Sequence, residues 1–446
     1  MPSDPELFED LPEQPAPAAV GRGAPRLRVP QRDQIDLHWA ALDELLAPEH
    51  PVRSVWAFVQ GLDLTPLYEA IKAREGEPGH PPAQPELMMA VWLWATVEDV
   101  GSARRLDQLC KEHLAYRWLC GGVSMNYHTL SDFYVAHREL LKELLAGSFA
   151  ALVEQGLVAP ETLAQDGLRV RASAGAASFR RRDRLDELHA AAQRRVERLR
   201  GELEDDPGVA DRRRQAAQER AARERVERIA AAQARMRELE VERARRAKTN
   251  KAQVAKQKEP RASTTDPDAR VMKMADGGFR PAYNMQIVSD PASQVIAAVD
   301  VETSGSDRGL ARPALEGLLA AGIRPSDYLV DGGFAKNDDI EWAHANGTRL
   351  WCPPAQSKHG TDPYAPRTDD GPGVADWRKR MPSEIGKAMY RERAKAECLN
   401  ARGRRMGLRQ LTVRGKENAL TTLLWFALAH NMLRAFALQR VAAGAV

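Results

Sequence analysis

From Arg180 to Pro260 the chain holds 24 Lys/Arg and 16 Asp/Glu, and strand-forming sequence stands on both sides of this run. Leu185, Leu188, Ala192, Val196, Leu199 and Leu203 recur at helical spacing, and Asp205-Asp206-Pro207-Gly208 interrupts them. Val226, Ile229, Gln233, Met236 and Leu239 then resume the pattern. Such spacing predicts two helices with a narrow apolar seam, folded back on each other. Before the run, Leu163 to Val170 reads as a strand. After it, Tyr283 to Val288 and Gln294 to Val301 flank Ser289-Asp290-Pro291-Ala292-Ser293, the turn chemistry of an antiparallel hairpin. The arrangement constrains the fold to one sheet-containing domain split by a helical insertion at 181–260. The insertion reads as a solvated, charge-laced pair; its basic excess also suits a clamp on a DNA backbone or a dimer arm.

At 446 residues and 43% apolar content the chain is long enough for several domains with real cores. Its net charge is only +3, so nucleic-acid binding has to come from local patches. Cys110, Cys120, Cys352 and Cys398 have no CxxC or ladder spacing and read as reduced thiols of a cytoplasmic protein. Residues 1–30 are rich in Pro, Ala and acids with no apolar stretch, and are expected to be a flexible tail rather than a signal peptide. Asn418 to Leu433 is the most apolar segment; at 16 uncharged residues, Asn and His among them, it predicts a buried helix and not a membrane span. No Walker A motif is present, so ATP use is not expected.

The region 31–158 has a helical pattern: Glu86 to Glu98 behind Pro85, Ser102 to His113, and one long helix from His128 to Gln155 capped by Thr129. Arg104, Arg105, Lys111 and Arg117 give it the basic character of a helix-turn-helix-like unit, and a plain bundle with solvated charges accounts for them equally well. Beyond the strand hairpin come a helix (Arg312 to Ala321), a short strand (Tyr328 to Asp331), a helix (Asn337 to Asn346), a strand (Thr348 to Cys352) and a Pro/Asp/Gly-rich loop reaching Pro382.

Two acids sit in or at the end of strands, Asp166 and Asp331. A third, Glu397, lies on a predicted helix with Tyr390, Arg393 and Arg404, all on one face by steps of +3, +4 and +7. From Ile385 to Lys416 there are ten Lys/Arg and two Asp/Glu, so Glu397 is an acid on a basic surface that suits nucleic acid with a bound divalent metal. Carboxylates converging at one sheet edge repel unless cations neutralise them, and two Mg²⁺ ions held by oxygen ligands do this. Asp276, Asp300, Asp338 and Asp339 compete for the same role by residue type, Asp300 most seriously because it too lies in strand texture. Gly332-Gly333 favours Asp331 by allowing close backbone approach to a ligand.

These segments together resemble the bacterial insertion-sequence transposases of the DDE type. Asp166-Gly167 is similar to the family's first acidic motif and Asp331-Gly332-Gly333-Phe334 to its second. Tyr390, Arg393, Glu397 and Arg404 follow its Y-(2)-R-(3)-E-(6)-K signature, with Arg in place of the final Lys. Asp276-Gly277-Gly278-Phe279, Gly407-Leu408-Arg409-Gln410 and Ala429-His430-Asn431 resemble further family segments. The resemblance implies an α/β fold with a ribonuclease-H-like mixed sheet at 159–180 and 261–446, and a helical N-terminal domain at 31–158 that can bind DNA ends. It implies a nuclease and polynucleotidyl transferase with Asp166, Asp331 and Glu397 as catalytic residues and ligands of two Mg²⁺ ions, Mn²⁺ being a possible substitute. Tyr390, Arg393, Arg404, Arg169, Arg171 and Arg409 are then candidate DNA contacts. The implied partners are double-stranded DNA, as element ends and target, and a second copy of the chain. Two alternatives remain open: a domesticated or inactive relative that only binds DNA, and a nuclease that cuts without joining. His430 in the apolar last helix reads as a hydrogen-bonded core histidine, and Trp92, Trp94 and Trp425 as core.

Overall fold

The computed structural model describes residues 40–73, 81–205, 209–249, 259–354 and 362–444. The expected tail at 1–30 and the turn residues 206–208 lie outside them. Backbone contacts divide the chain into Met1–Leu45 and Leu46–Val446. Of the first unit, residues 40–45 form bends and turns.

The second unit begins with seven helices: α1 (Pro51–Gln60), α2 (Thr65–Glu69), α3 (Pro85–Val97), α4 (Ala103–Glu112), α5 (Leu114–Cys120), α6 (Tyr127–Ala136) and α7 (Arg138–Glu154). Pro85 opens α3, where its missing N–H costs nothing, and the Ser102 hydroxyl accepts the Arg105 N–H to cap α4. The single helix expected from Thr129 is two. Asn126, not Thr129, is the cap, its side chain accepting the Thr129 N–H at 2.9 Å. The chain leaves helical geometry at His137 (φ −111°, ψ 38°). The break separates two packing tasks. Trp92 on α3 donates its indole N–H to Leu130 O on α6 at 3.0 Å, whereas α7 lies along the final helix, α15 (Lys416–Ala442).

The central sheet is built on β1 (Thr162–Arg171). On one side β1 pairs antiparallel with β5 (Phe279–Ser289), setting Asp166 opposite Ile287. On the other side it pairs in parallel with β7 (Asp327–Leu329), Ala164 opposite Leu329, and β8 (Arg349–Trp351) adds in parallel to β7. The far edge of β5 is shared by β4 (Arg270–Lys273) and β6 (Ile296–Glu302), both antiparallel. A mixed sheet with the first strand at its centre is the ribonuclease-H-like order. Helices α10 (Ala311–Ala320) and α11 (Asn337–Ala345) make the crossovers that bring β7 and β8 parallel.

The segment between β1 and β4 leaves the sheet through a narrow neck. Phe179–Arg180 (β2) pairs with Ala262–Ser263 (β3), and between them rise α8 (Arg182–Asp205) and α9 (Val209–Thr249). Leu185 packs with Ala232, Met236 and Ala262 at the base. The sides are stitched by polar contacts: Arg182 pairs with Glu240, Gln233 donates to Asp186 at 2.6 Å, and Arg200 meets Glu219 at 3.2 Å.

Two cores flank the sheet. One joins the N-terminal helices to Leu168, Tyr283 and Met285 of the sheet and to Leu423 through Met432 of α15. The other lies among β7, β8, α10 and α11 and takes in Ala435 of α15. Trp92, Trp94 and Trp425 are all buried, and Trp425 donates to Tyr134 O at 3.0 Å. The stretch expected as loop before Pro382 contains a helix, α12 (Pro372–Arg380). Pro372 starts it, and Val374, Trp377 and Met381 bury one face at helical spacing.

One turn of α15 closes the β5–β6 turn. His430 Nε2 lies 2.7 Å from Gln294 O, and Arg434 Nε donates to Ser293 O at 2.7 Å. Asn431 accepts the Ile296 N–H and donates to the Ile296 carbonyl, both at 2.8 Å. Burial lowers the pKa of His430 from 6.5 to about 4, with Arg402 and Arg434 acting in the same direction. The unfolded chain therefore binds this proton more readily than the folded one. The resulting stability is complete above pH 6.5 and is lost as pH falls towards 4. The loss amounts to about 3 kcal/mol. Urea midpoints measured from pH 7 to pH 4 should fall accordingly, and His430→Gln should flatten that part of the profile; an equal slope in both proteins removes His430 as the cause.

Candidate active site

Asp166 points from β1 to the sheet face that Leu168 and Val170 share, against α14 (Ala394–Arg405). Continuing the parallel register of β1 and β7 past Ala164 and Leu329 brings Asp331 abreast of Asp166. The two are close enough that Asp331 raises the pKa of Asp166. Burial is the larger cause of that rise, and Arg393 and the Gly167 N–H oppose it. Asp166 Oδ1 accepts the Gly167 N–H at 2.9 Å, and Oδ2 accepts the Asn400 amide at 2.7 Å.

Asp331 caps the 3₁₀ turn Gly332–Phe334, accepting the Gly333 N–H at 2.7 Å. A Cβ on Gly333 would meet Asp331 Oδ1 at 2.8 Å, so the room left by this glycine is taken by the carboxylate itself, not by an approaching ligand. Gly167 is equally constrained. A Cβ there would lie 2.7 Å from Asp307 Oδ1 and 2.9 Å from Asn284 Oδ1.

The expected Tyr390–Arg404 helix is divided. α13 (Glu384–Glu392) stops at Arg393, where α14 begins, with i to i+3 bonds from Arg393 N to Tyr390 O and from Ala396 N to Arg393 O. The break puts the Arg393 guanidinium between the acids. It lies 2.8 Å from Glu397 Oε1 and 3.8 Å from Asp166 Oδ1, with its centre 5.6 Å from the Tyr390 ring centroid. Burial disfavours the charge of Arg393, but Tyr390 and Asp166 outweigh it and raise the pKa. The Tyr390 hydroxyl is pushed up by burial, with Arg393 opposing and Asp331 adding to the rise. Glu397 is 61% exposed and held only along the helix surface by Arg393.

The remaining expected residues scatter. Arg404 and Arg409 are exposed beyond Asn400, and Arg409 Nε donates to Arg404 O at 2.7 Å. Arg169 is an odd number of residues from Asp166 and leaves the opposite face of the sheet, where it donates to Gly305 O at 2.9 Å and meets Asp307 at 3.6 Å. Arg171 shares that opposite face, and its backbone bonds to residues 409 and 411. The rival Asp300 pairs with Gln286, which pairs with Gly167, so it too faces away from Asp166. Asp276 lies in the β4–β5 turn, and Asp338 and Asp339 in the first turn of α11. Asn400 was not anticipated. Its position three residues after Glu397 and four before Arg404, on their helical face, is the signal that could have revealed it.

This donor set suits a hard divalent cation: oxygen ligands only, with two neighbouring carboxylates whose mutual repulsion a cation relieves. Among the described residues no three acid, His or Cys side chains are gathered into a metal cluster, because Glu397 is turned to Arg393.

A family model described as Transposase DDE domain matches residues 256–432, which hold Asp331 and Glu397. A second, described as Transposase domain (DUF772), matches residues 40–136. The chain belongs to the insertion-sequence DDE transposases. It is thus a DNA transposase, a DNA-binding protein of a family with nuclease and transferase activity that generally uses a divalent metal. Asp166 lies between the two matched segments of the transposase. Comparison with curated proteins and with solved structures returned no match. Among the described residues of the transposase, no helix is long and apolar enough to cross a membrane.

Proposed function

We propose that this transposase cleaves the ends of its own element and joins the freed 3′-OH to target DNA, with Asp166, Asp331 and Glu397 holding two Mg²⁺ ions, for which Mn²⁺ can substitute. The observation that carries this reading is the pair of acids set abreast by the β1–β7 register, tied to the third through one guanidinium. When bound, the ions supply the charge that activates the attacking oxygen and stabilises the leaving one. The chain's own residues do the rest. Gly167 N–H and the Asn400 amide fix both oxygens of Asp166, and Gly333 N–H fixes Asp331. Glu397, largely exposed, joins them by a side-chain rotation when a DNA phosphate draws Arg393 away. Tyr390, Arg393 and Arg404 hold phosphates beside the cut, the guanidinium groups by paired hydrogen bonds. Water attacks the phosphodiester at the element end, and the released hydroxyl then attacks target DNA at the same site. Two ends have to be joined, so the acting species is a homodimer.

The test uses duplexes taken from the DNA on either side of the gene, where inverted repeats are expected. Mg²⁺-dependent nicking at the element boundary, followed by joining of a pre-cleaved 3′-OH end to plasmid, is the expected outcome. Binding without nicking would identify a DNA-binding relative, and nicking without joining a nuclease.

A further inference from the structure

The β4–β5 hairpin carries a solvent-facing aromatic on the same side of the sheet as the acids. Residues directly opposite across antiparallel strands share a face. Asp166 is opposite Ile287, so Met285, Tyr283, Pro281 and Phe279 of β5 follow on the Asp166 side. Lys273 and Val271 of β4 are opposite Phe279 and Pro281 and share it too. Between Asp166 and Tyr283 this face is covered by α14 and α15; beyond Pro281 it opens. Phe279 is 69% exposed and Val271 50% exposed, and Lys273 is exposed beside them.

The hairpin is firmly built. Met274 N–H donates to Gly278 O at 2.7 Å, Gly278 N–H to Asp276 Oδ1 at 3.0 Å, Gly277 supplies a φ of +80°, and Arg280 pairs with Asp276. Such a tip holds its aromatic ring in water at a fixed place instead of letting it fold back onto apolar surface.

The path from the acids to this ring is basic. α14 and the segment after it run along β1 in the direction of the hairpin: Asn400 meets Asp166, Gly403 lies over Leu168, and beyond the helix Arg409 O accepts the Arg171 N–H. Arg404, Arg405 and Arg409 are exposed along it, and Lys273 stands at its end. Phe279 lies eight positions along β5 from the partner of Asp166, about 27 Å at roughly 3.4 Å per residue. That is the length of about eight base pairs of duplex.

We infer that this track is the seat of the element-end duplex, and that Phe279 wedges into a base step about eight pairs from the cleaved phosphate, partly unstacking it and stacking on the base so exposed, with Lys273 on the adjoining backbone. This rests on the acids marking the point of cleavage; binding to duplex does not. A flat ring flanked by cations suits a base better than a second copy of the chain, because the charge that leads to it repels its own kind and attracts phosphate.

The experiment places 2-aminopurine at successive positions of the flanking-repeat duplex and titrates in wild type, Phe279→Ala, Phe279→Trp and Lys273→Ala. A fluorescence change confined to positions near the eighth pair is expected for wild type and absent for Phe279→Ala. Phe279→Ala should bind about ten-fold more weakly, the lower range of one lost stack. Phe279→Trp should bind like wild type, with its own emission quenched by DNA. Should Phe279→Ala fold poorly, the quenching in Phe279→Trp decides. Wild-type affinity in Phe279→Ala, an unquenched Trp, or a loss of dimer in sedimentation with DNA affinity unchanged would each overturn the inference. Asp166→Asn with normal binding and no cleavage leaves both readings standing. If Asp166→Asn still cleaves, the assignment of the acids fails, while stacking by Phe279 is still read directly from the fluorescence.

Discussion

Asp166→Asn should lower strand cleavage at the element boundary by about 10³-fold or more, with duplex binding within a few-fold of wild type. The magnitude follows from the loss of several kcal/mol of charge stabilisation in the transition state, each ~1.4 kcal/mol being a factor of ten. The substitution is close to isosteric, and the Gly167 N–H still has an oxygen to meet, so the strand keeps its place. Binding survives because the phosphate contacts assigned to Tyr390, Arg393 and Arg404 are untouched. Glu397→Gln should behave alike. Asp300→Asn is the control: that side chain is exposed on the other sheet face and should leave cleavage unchanged. Single-turnover cleavage and gel-shift titration on the same duplex check all three, and cutting by either of the first two variants at near wild-type rate would remove that acid from the site.

The second large effect concerns stability. Asn431→Leu should destabilise the fold by roughly 2–6 kcal/mol, because two buried main-chain groups lose their partner and each orphan costs about 1–3 kcal/mol. Both groups belong to Ile296, whose N–H and carbonyl are bound by one amide across 135 residues. Leu keeps the branched shape and is the larger side chain, so no cavity opens: lost hydrogen bonding is responsible, and crowding by the two methyl groups adds to it. Domains are stable by only about 5–15 kcal/mol, so the change should be visible as a lower urea midpoint with an unaltered slope. A midpoint equal to wild type would mean that Ile296 finds other partners.

The strands, with Asp166 inside β1 and Asp331 just past β7, were legible because alternation and turn chemistry are local signals, as at Ser289 to Ser293, where Asp290 accepts the Ala292 and Ser293 N–H groups. The helix at Pro372–Arg380 was hidden by the Pro and Gly around it, although Val374, Trp377 and Met381 carried the period. The breaks at His137 and Arg393 answer to tertiary demands, two helices to pack against in the first case and two carboxylates to reach in the second. Nothing in local propensity announces either. Arg169 shows the reverse: strand alternation alone already turned it away from Asp166. Asn400 is visible only once a helix face is known to lie over β1.

The last helix has a bearing on synthesis. Both apolar interiors are completed by α15, which is made after every other element that lines them. Nascent chains of this protein thus cannot complete either interior until α15 has been made, and a message truncated ahead of it yields a polypeptide for proteolysis instead of a half-competent recombinase.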